Sequence, residues 1–443
     1  MNDEPQPSSA CRPGAPTPPP SSATSALPLP SSPIAPPSPA LGSPPATSAL
    51  APADASSPPS AVLPPPGPPH PPDEQPTESF RSPWDLTIRR FARHKLGMGS
   101  FFLLCILYVL AAGCEFFAPT TREWRDLRHS YCPPQPLHFS RDGFHVGALR
   151  RLDNPVTFAR TYLEDPAVRI PLGFFVRGEP YRLFGLIPLD RHFFGVDREK
   201  LAALGRDRDP DAVFYLLGAD KYGRDVLSRL IYGARISLSV GLISIVVTFV
   251  LGVTLGGISG YVGGGWDNVI QRTIEVINSL PQLPLWLAIG AIFPADWSSL
   301  TVYFCVTIAL SLLAWTGLAR VVRGKILALR EEDYAVAARL LGASHARVLF
   351  RHLVPGFASH IIVTLTLSVP GMILGETVLS FLGLGLRPPI VSWGVMLQDC
   401  QNLQTVGHYP WLLAPVLFIV LTILAFNFAG DALRDAADPY SSR

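Results

Sequence analysis

The second half of this chain is mostly apolar, but one polar stretch between residues 330 and 355 interrupts it. Three acids open this stretch, and a base and a glycine follow them; in order they are Glu331, Glu332, Asp333, Arg339 and Gly342. Acids at a helix N-terminus, a base in its last turn and a glycine just beyond it complement the helix dipole and the usual C-terminal cap. The small residues 335–338 (AVAA) would let another surface approach the backbone. The pattern predicts a short helix that either docks onto a partner or is an ordinary solvated connector.

The sequence contains no motif for chemistry within the chain itself. Phosphate-binding loops follow GxxxxGK[ST], whereas Gly324-Lys325 is followed by Ile326 and lacks the upstream glycine. There is no HExxH or GxSxG, and the six cysteines have neither zinc-ligand nor CxxC spacing. A formal net charge of +2 without a basic face gives no reason to expect a nucleic-acid partner. Any ATP-driven step therefore needs another protein.

The N-terminal residues 1–80 contain 26 of the 47 prolines, mixed with serine and alanine. A segment so poor in long apolar runs cannot offset the entropy of ordering its backbone. We therefore predict a disordered cytoplasmic tail over residues 1–80. An N-terminal segment and the first membrane span follow over residues 82–118.

Six apolar runs are long enough to cross a bilayer, because about 20 helical residues span its ~30 Å hydrocarbon core. The predicted spans are residues 100–118, 231–261, 269–293, 300–318, 357–384 and 411–429. Basic residues precede the first span and recur in the polar loop 319–356, and the positive-inside rule places both in the cytoplasm. The glycines of the second span allow close contact between helices.

The spans define the other predicted regions. Residues 119–229 are polar, and alternation of the spans makes them a periplasmic insertion. We expect a small β-rich or irregular fold over 120–210, which is a candidate contact surface for a periplasmic partner. A five-helix core covers residues 230–434, including the loop 319–356, and a cytoplasmic tail covers 435–443. Both termini are then cytoplasmic. Cys132 and Cys400 share the oxidising compartment, where they either form a disulfide or remain isolated thiols.

Ionisable residues within or at the edges of predicted spans include Glu115, Arg272, Glu275 and Glu376. Charges in hydrocarbon are costly, so these side chains should face protein or water. For Glu115 and Arg272 we favour a structural pair or a position at the membrane surface. Glu376, in the middle of its span, is a candidate pore or gate residue, and a structural role is an equal alternative.

Several stretches resemble one known family. In the polar loop, Ala337-Ala338, Gly342 and Val354-Pro355 resemble the EAA loop of binding-protein-dependent ABC importer permeases, although Val336 stands where the glutamate would be. Three further stretches are similar to the C-type subunit of dipeptide and oligopeptide permeases. They are residues 217–229 (LGADKYGRDVLSR), 376–394 (ETVLSFLGLGLRPP, then SWG at 392–394) and 430–439 (GDALRDAADP). The resemblance covers about residues 82–118 and 215–440.

The resemblance implies an all-α polytopic membrane protein with the six-span type I ABC importer fold, in the bacterial inner membrane. Such a permease forms a translocation path with a second permease subunit and couples to two ATPase subunits. A periplasmic or lipid-anchored binding protein delivers the substrate, and membrane lipid surrounds the spans. The chain itself would be a transport subunit without enzymatic activity or cofactor, since ATP and Mg²⁺ bind to the partner ATPase. The implied cargo is a dipeptide or oligopeptide.

The resemblance also assigns roles within the loop. The residues that would contact the ATPase or flank that contact are Glu331, Glu332, Asp333, Ala337, Ala338, Arg339, Gly342 and Pro355. The same architecture also serves other small solutes, such as nickel chelates or opines, so the substrate stays open.

Functions from other classes are a membrane-embedded enzyme or sensor with a periplasmic domain, and a secondary transporter. The sequence shows neither an enzyme motif nor the inverted repeats that are usual in secondary transporters. Co-purification with an ATPase and a second permease separates these alternatives from an importer permease.

Overall fold

A computed structural model describes residues 83–438, except residues 142, 154, 156–159, 207–208, 210 and 295. The predicted tail 1–80 lies outside the described residues. The helices that precede the polar loop are α1 Pro83–Arg93, α2 Lys95–Ala112, α3 Cys114–Phe117, α4 Arg198–Ala203, α5 Val226–Val262, α6 Gly264–Ser279, α7 Gln282–Ile292 and α8 Ser299–Leu329. From the loop onward they are α9 Asp333–Leu340, α10 His345–Arg347, α11 Ala358–Phe381, α12 Trp393–Leu397, α13 Leu403–His408 and α14 Ala414–Ala437. The last helix therefore includes residues 435–437 of the predicted C-terminal tail.

Five helical stretches in the described part of the chain are long and apolar enough to cross a membrane. They are Lys95–Ala112, Val226–Val262, Ser299–Leu329, His345–Phe381 and Pro410–Ala437, and each overlaps a predicted span. Two of them extend well beyond the predicted limits. α5 begins inside the predicted insertion, and α8 continues through residues 319–329 of the predicted loop. A helix satisfies its own backbone hydrogen bonds, so it can continue past the apolar run that predicted it.

The predicted third span, residues 269–293, is not one helix. It forms α6 and α7, of 16 and 11 residues, separated at Leu280 and Pro281. Leu280 has extended backbone angles, φ −87° and ψ 134°, because the proline ring disfavours a helical conformation in the preceding residue. Proline also lacks the N–H that would continue the helix. Neither helix alone reaches the length of a span, so the count of six spans stays a prediction.

The start of α2, the end of α14 and the polar loop share one end of the bundle. The Arg90 side chain donates to the backbone oxygen of Asp438 at 2.8 Å, and α1 packs on α14. The loop packs against the ends of α5 and α8 through a buried cluster that also includes the beginning of α11. The insertion lies at the opposite end, where Trp411 Nε1 donates to the oxygen of Ala219 at 3.0 Å. The loop and both ends of the described chain therefore lie at one end of the bundle and the insertion lies at the other, while the side of the membrane that each end faces stays a prediction.

α5 and α8 form the most extensive helix contact in the chain, and glycines make it possible. A Cβ atom added to Gly256 would lie 2.5 Å from the backbone oxygen of Ala319 and 2.8 Å from its Cα atom. Gly260 approaches the backbone of Arg323 in the same way. The backbones touch at these positions, so no side-chain movement could make room, which is the packing predicted for a glycine-rich span.

The substitution Gly256→Val should therefore separate α5 from α8. We expect the unfolding free energy of the detergent-solubilised chain to fall by about 2–3 kcal/mol, the upper range for overpacking a well-packed contact. Thermal unfolding monitored by circular dichroism measures this change. Gly317→Ala is the matched control, since a Cβ at Gly317 on α8 meets nothing within 4 Å. Equal midpoints for the two variants would contradict the proposed packing.

A second link joins α6 to α8. Arg323 donates from Nε and Nη2 to the two carboxylate oxygens of Asp267, at 2.7 Å each. This pairing with the Arg323 guanidinium lowers the pKa of Asp267 from its ordinary value. Arg323, which belongs to the predicted loop 319–356, holds the last turns of α8 against the start of α6.

The lowered pKa gives this link a pH dependence of known sign. The carboxylate is favoured more in the folded than in the unfolded chain, so its stabilisation is present above the unfolded pKa of about 3.9 and is lost as pH falls below it. We expect Asp267→Asn to destabilise the chain at pH 7 by about 1 kcal/mol or less, as for a partly exposed pair. The difference from wild type should shrink between pH 5 and pH 3 in thermal unfolding. A constant difference over this range would contradict the assignment.

The insertion contains a four-stranded antiparallel sheet in the order β1-β2-β3-β4, which agrees with the predicted β-rich module. The strands are β1 His138–Ser140, β2 Gly143–Asp153, β3 Arg160–Leu183 and β4 Ile187–Val196. The long strand β3 pairs with β2 through its first half and with β4 through its second half. A three-residue turn closes the β3–β4 hairpin, with Phe184 and Gly185 at positive φ.

Contacts from several elements fix the insertion onto the bundle. Tyr131 stacks on Tyr409 at 4.1 Å between ring centroids, and Lys221 pairs with Asp399 at 2.8 Å. Of the two alternatives for Cys132 and Cys400, the structure shows free thiols. Burial raises the pKa of both thiols, to about 11 for Cys400. Both are therefore protonated, unreactive side chains at neutral pH.

Candidate functional site

The predicted loop helix is present as α9, and its C-terminal cap is the predicted glycine. Gly342 has φ +82°, its N–H donates to the oxygen of Arg339, and the N–H of Ala343 donates to the oxygen of Ala338. These two bonds form a Schellman motif, in which the residue after the helix adopts a left-handed conformation. A Cβ atom at Gly342 would meet nothing within 4 Å, so glycine is needed here for its backbone freedom.

The acidic residues lie at the start of α9 as predicted, with Glu332 at the N-cap position and Asp333 in the first turn. Both are exposed, and the Glu332 side chain makes no capping hydrogen bond. At the other end, Arg339 Nη2 donates to the backbone oxygen of Arg330 at 3.0 Å, which ties α9 back to the end of α8. Arg330 in turn pairs with Glu331 at 3.0 Å. Arg339 therefore holds the C-terminal end of α9 against the end of α8, and the acids Glu332 and Asp333 stay exposed.

One face of α9 is buried against the bundle. Ala335 is fully buried in a cluster with Val348, Leu349, Leu353 and Phe357. The alanine pair of the predicted contact is split by the helix geometry: Ala338 packs at the edge of this cluster, whereas Ala337 is exposed. Only Ala337 of the pair is thus fully available to another molecule in this conformation.

The second part of the loop continues into the next span. Ser344 caps α10 by accepting from the N–H of Arg347. Pro355 does not end the helical structure, which continues to Phe381. A π-helical segment, Val348–Leu353, and a 3-10 segment, Val354–Phe357, lie between α10 and α11. The altered hydrogen-bond spacing of these segments accommodates Pro355. Proline has no N–H to donate, and in a regular α-helix its ring would crowd the carbonyl four residues earlier.

The most exposed apolar side chains of the loop were not predicted as site residues. Leu340 and Leu341, at the end of α9, are 83% and 89% exposed. They stand directly before the Gly342 cap, which fixes their direction. Leu340 and Leu341 are adjacent at the end of a helix that already buries its alanine face. Their exposure could have been predicted from the sequence, because consecutive helical residues cannot share one narrow face.

Glu376 is fully buried inside this chain and does not line an open path. Its carboxylate accepts hydrogen bonds from the hydroxyls of Ser380 at 2.7 Å, Ser392 at 2.8 Å and Ser237 at 3.3 Å. The same hydroxyls accept from backbone N–H groups of the segment after α11, including Trp393 at 3.2 Å on Ser237. This polar cluster joins α5, α11 and the start of α12. Of the two predicted roles, its surroundings match the structural one.

Glu115, Arg272 and Glu275 form ion pairs. Arg272 pairs with Glu275 at 2.7 Å, three residues apart on the surface of α6. Glu115 pairs with Arg235, which donates from both terminal nitrogens to its two carboxylate oxygens at 2.5 Å. Arg235 also donates to the carbonyl oxygens of Ala111 and Ala112, so it closes the end of α2. These are the structural pairs that the sequence favoured for Glu115 and Arg272.

Several helices in the described part of the chain are long and apolar enough to span a membrane, and they define an integral membrane protein. A capped polar loop lies at one end of the helix bundle and a folded insertion at the other. Comparison with known proteins gives the family. Residues 252–442 match the model of the binding-protein-dependent transport system inner membrane component, and residues 82–134 match the N-terminal TM domain of oligopeptide transport permease C.

Curated relatives agree with these family models. The dipeptide transport system permease protein DppC of Bacillus subtilis is 40% identical over 230 residues, which are 52% of this chain and 70% of that protein. The glutathione transport system permease protein GsiD of Pectobacterium atrosepticum is 36% identical over 255 residues, 57% of this chain and 80% of that protein. A chain of the MetNI methionine ABC transporter matches 47% of this chain and 97% of its own at 17% identity, with a TM-score of 0.37. This chain belongs to the family of binding-protein-dependent ABC transporter permeases.

Proposed function

We propose that this chain is the C-type permease subunit of an ABC importer for short peptides, and that partner ATPases drive it through α9. The observation that carries the coupling role is the pair Leu340 and Leu341, held out by a rigid cap with more than four fifths of each side chain exposed. Apolar side chains fixed in this way gain free energy when a partner groove covers them. Family membership supports ATPase subunits as that partner.

The remaining partners follow from the same family. A second permease completes the translocation path, and a binding protein delivers substrate on the side of the insertion, which we assign to the periplasm. The loop and both ends of the described chain then face the cytoplasm of a bacterial inner membrane. ATP and Mg²⁺ bind to the ATPase, and its nucleotide state selects between two arrangements of the spans by binding them with different free energies.

The names of the relatives support a peptide cargo. They are permeases of dipeptide, oligopeptide and glutathione transport systems, and all three substrate classes are short peptides with free carboxylates. The shared chemistry is a flexible zwitterionic or anionic backbone with variable side chains. We therefore assign di- and oligopeptides as the substrate class of this chain.

Reconstituted transport tests the proposal. The full chain is co-expressed with its cognate second permease, ATPases and binding protein, and the complex is placed in vesicles. We expect uptake of labelled dialanine that needs ATP, and no uptake when the ATPases carry an inactivating substitution in the nucleotide site. Peptide uptake without ATPases, or ATP-driven uptake of other solutes but no peptide, would count against the proposal.

A further inference from the structure

An open cavity of about 1020 Å³ lies between the insertion and the bundle. Its floor includes Glu115 from α3, Tyr232 and Arg235 from α5, and the segment 390–391 before α12. The β3–β4 hairpin forms the roof and residues 121–124 form a side wall. Sites that hold drug-sized ligands measure about 300–1,000 Å³, so this cavity has room for a small solute and its water.

Two charged residues of opposite sign line the roof, although their spacing should separate them. Glu179 and Arg182 are three residues apart on β3, and in a regular strand such residues point to opposite faces. The strand pairing shifts register between Arg177 and Tyr181, which breaks this alternation. The His192 ring contacts the backbone oxygens of Glu179 at 3.1 Å and Ala118 at 2.7 Å, so the irregular segment is fixed over the end of α3.

The charges of the floor are already paired, but those of the roof are not. Arg235 and Glu115 satisfy each other, as described above. Within the described residues, Arg182 is exposed and takes part in no ion pair. The Glu179 carboxylate accepts from the Thr121 hydroxyl, a neutral donor, and meets no cation in the same part of the chain. The roof therefore offers one anionic and one cationic group to whatever enters.

We propose that this cavity is a vestibule that holds a short peptide as a zwitterion, with its carboxylate at Arg182 and its ammonium group at Glu179. The inference rests on the proposed function for the identity of the cargo. Three residues of extended chain place the Cα atoms of Glu179 and Arg182 no more than about 10 Å apart, and the termini of a di- or tripeptide are about 7–10 Å apart. An arginine binds a carboxylate through two parallel hydrogen bonds. Trp124, Tyr232 and Ile236 on the walls give apolar contact without selecting one side chain.

A saturation-transfer NMR titration of the full chain in lipid nanodiscs tests the vestibule directly. The probes are dialanine and dialanine amide, which lacks the terminal carboxylate. We expect Arg182→Glu to weaken dialanine binding about tenfold, the loss of one charge-assisted contact, and to change amide binding less than about twofold. Arg191→Glu is the matched control, because Arg191 is an exposed arginine on the same hairpin that does not line the cavity.

The opposite end of the peptide gives an independent check. Glu179→Gln should weaken dialanine binding several-fold and leave the binding of N-acetyl-dialanine unchanged. The vestibule is overturned if the wild-type chain binds no dialanine, if Arg191→Glu weakens binding as much as Arg182→Glu, or if the charge variants act equally on blocked and free peptides. If the assembled transporter takes up peptide and any of these results is obtained, the vestibule is wrong but the proposed function stands. A transporter that takes up no peptide overturns the proposed function first.

Discussion

Replacing Leu340 and Leu341 together with aspartate should detach the ATPase subunits and abolish ATP-driven uptake. Each leucine that moves from water into an apolar groove contributes about 1.5–3 kcal/mol, so losing both lowers the association constant by roughly a hundredfold or more. Two carboxylates in the same groove add a desolvation cost. Co-purification of the ATPases on the tagged permease, followed by vesicle uptake, measures both effects.

The folded chain should tolerate this double substitution, because both side chains are exposed in the isolated permease. Leu403→Asp is the matched control: Leu403 is 85% exposed and lies on α13, at the end of the bundle where the insertion sits. We expect this variant to retain the ATPases. If Leu403→Asp releases the ATPases as effectively, or if the Leu340/Leu341 variant retains them, the assignment of α9 as the coupling element is wrong.

The local features of α9 could be predicted because they depend on neighbouring residues. Acids at its start, Arg339 in its last turn and Gly342 at the cap are a pattern within twelve residues, and the structure has each in the predicted place. The direction of each side chain depends on what the helix packs against. The division between exposed Ala337 and half-buried Ala338 is set by a cluster that includes Leu318 and Leu365, both distant in sequence.

The spans show the same limit. Apolar runs predicted where helices lie but not where they end, since α8 continues for eleven residues past the predicted limit at 318. The strands of the insertion could not be assigned, because β3 contains Pro166, Pro171 and Pro180 and lacks a regular alternation. Pairing with β2 and β4 makes this segment a strand, and the local sequence pattern does not show that pairing. The cavity beneath it is built from five separate segments and has no local signature at all.

Glu376 has a hydrogen-bond partner that the local sequence could not reveal. The sequence placed a glutamate in the middle of a span, which fits a gate as well as a structural anchor. Ser380 lies one turn away and was a visible partner, but Ser237 is 139 residues away. That distant hydroxyl binds both the carboxylate and the N–H of Trp393. The cluster therefore makes a buried carboxyl group into the connection between two helices and the segment that follows α11.

Glu376→Ala should consequently destabilise the chain by about 3–5 kcal/mol, because three buried hydroxyls lose their carboxyl acceptor and a cavity remains. The first region to open should be residues 382–397, whose backbone is held by the same serines. Hydrogen exchange of this segment and the thermal midpoint of the solubilised chain measure the effect. Glu376→Gln keeps one acceptor oxygen and should recover part of the loss.

The surface residue Glu275, paired with Arg272 and 61% exposed, is the matched control, and Glu275→Ala should leave the midpoint nearly unchanged. The experiment also separates the two roles that the sequence left open. A gate residue with no structural duty would abolish peptide uptake while leaving stability and exchange at wild-type values. Because all three serines donate to Glu376 from inside the fold, we expect the reverse order: structure is lost first, and uptake falls as its consequence.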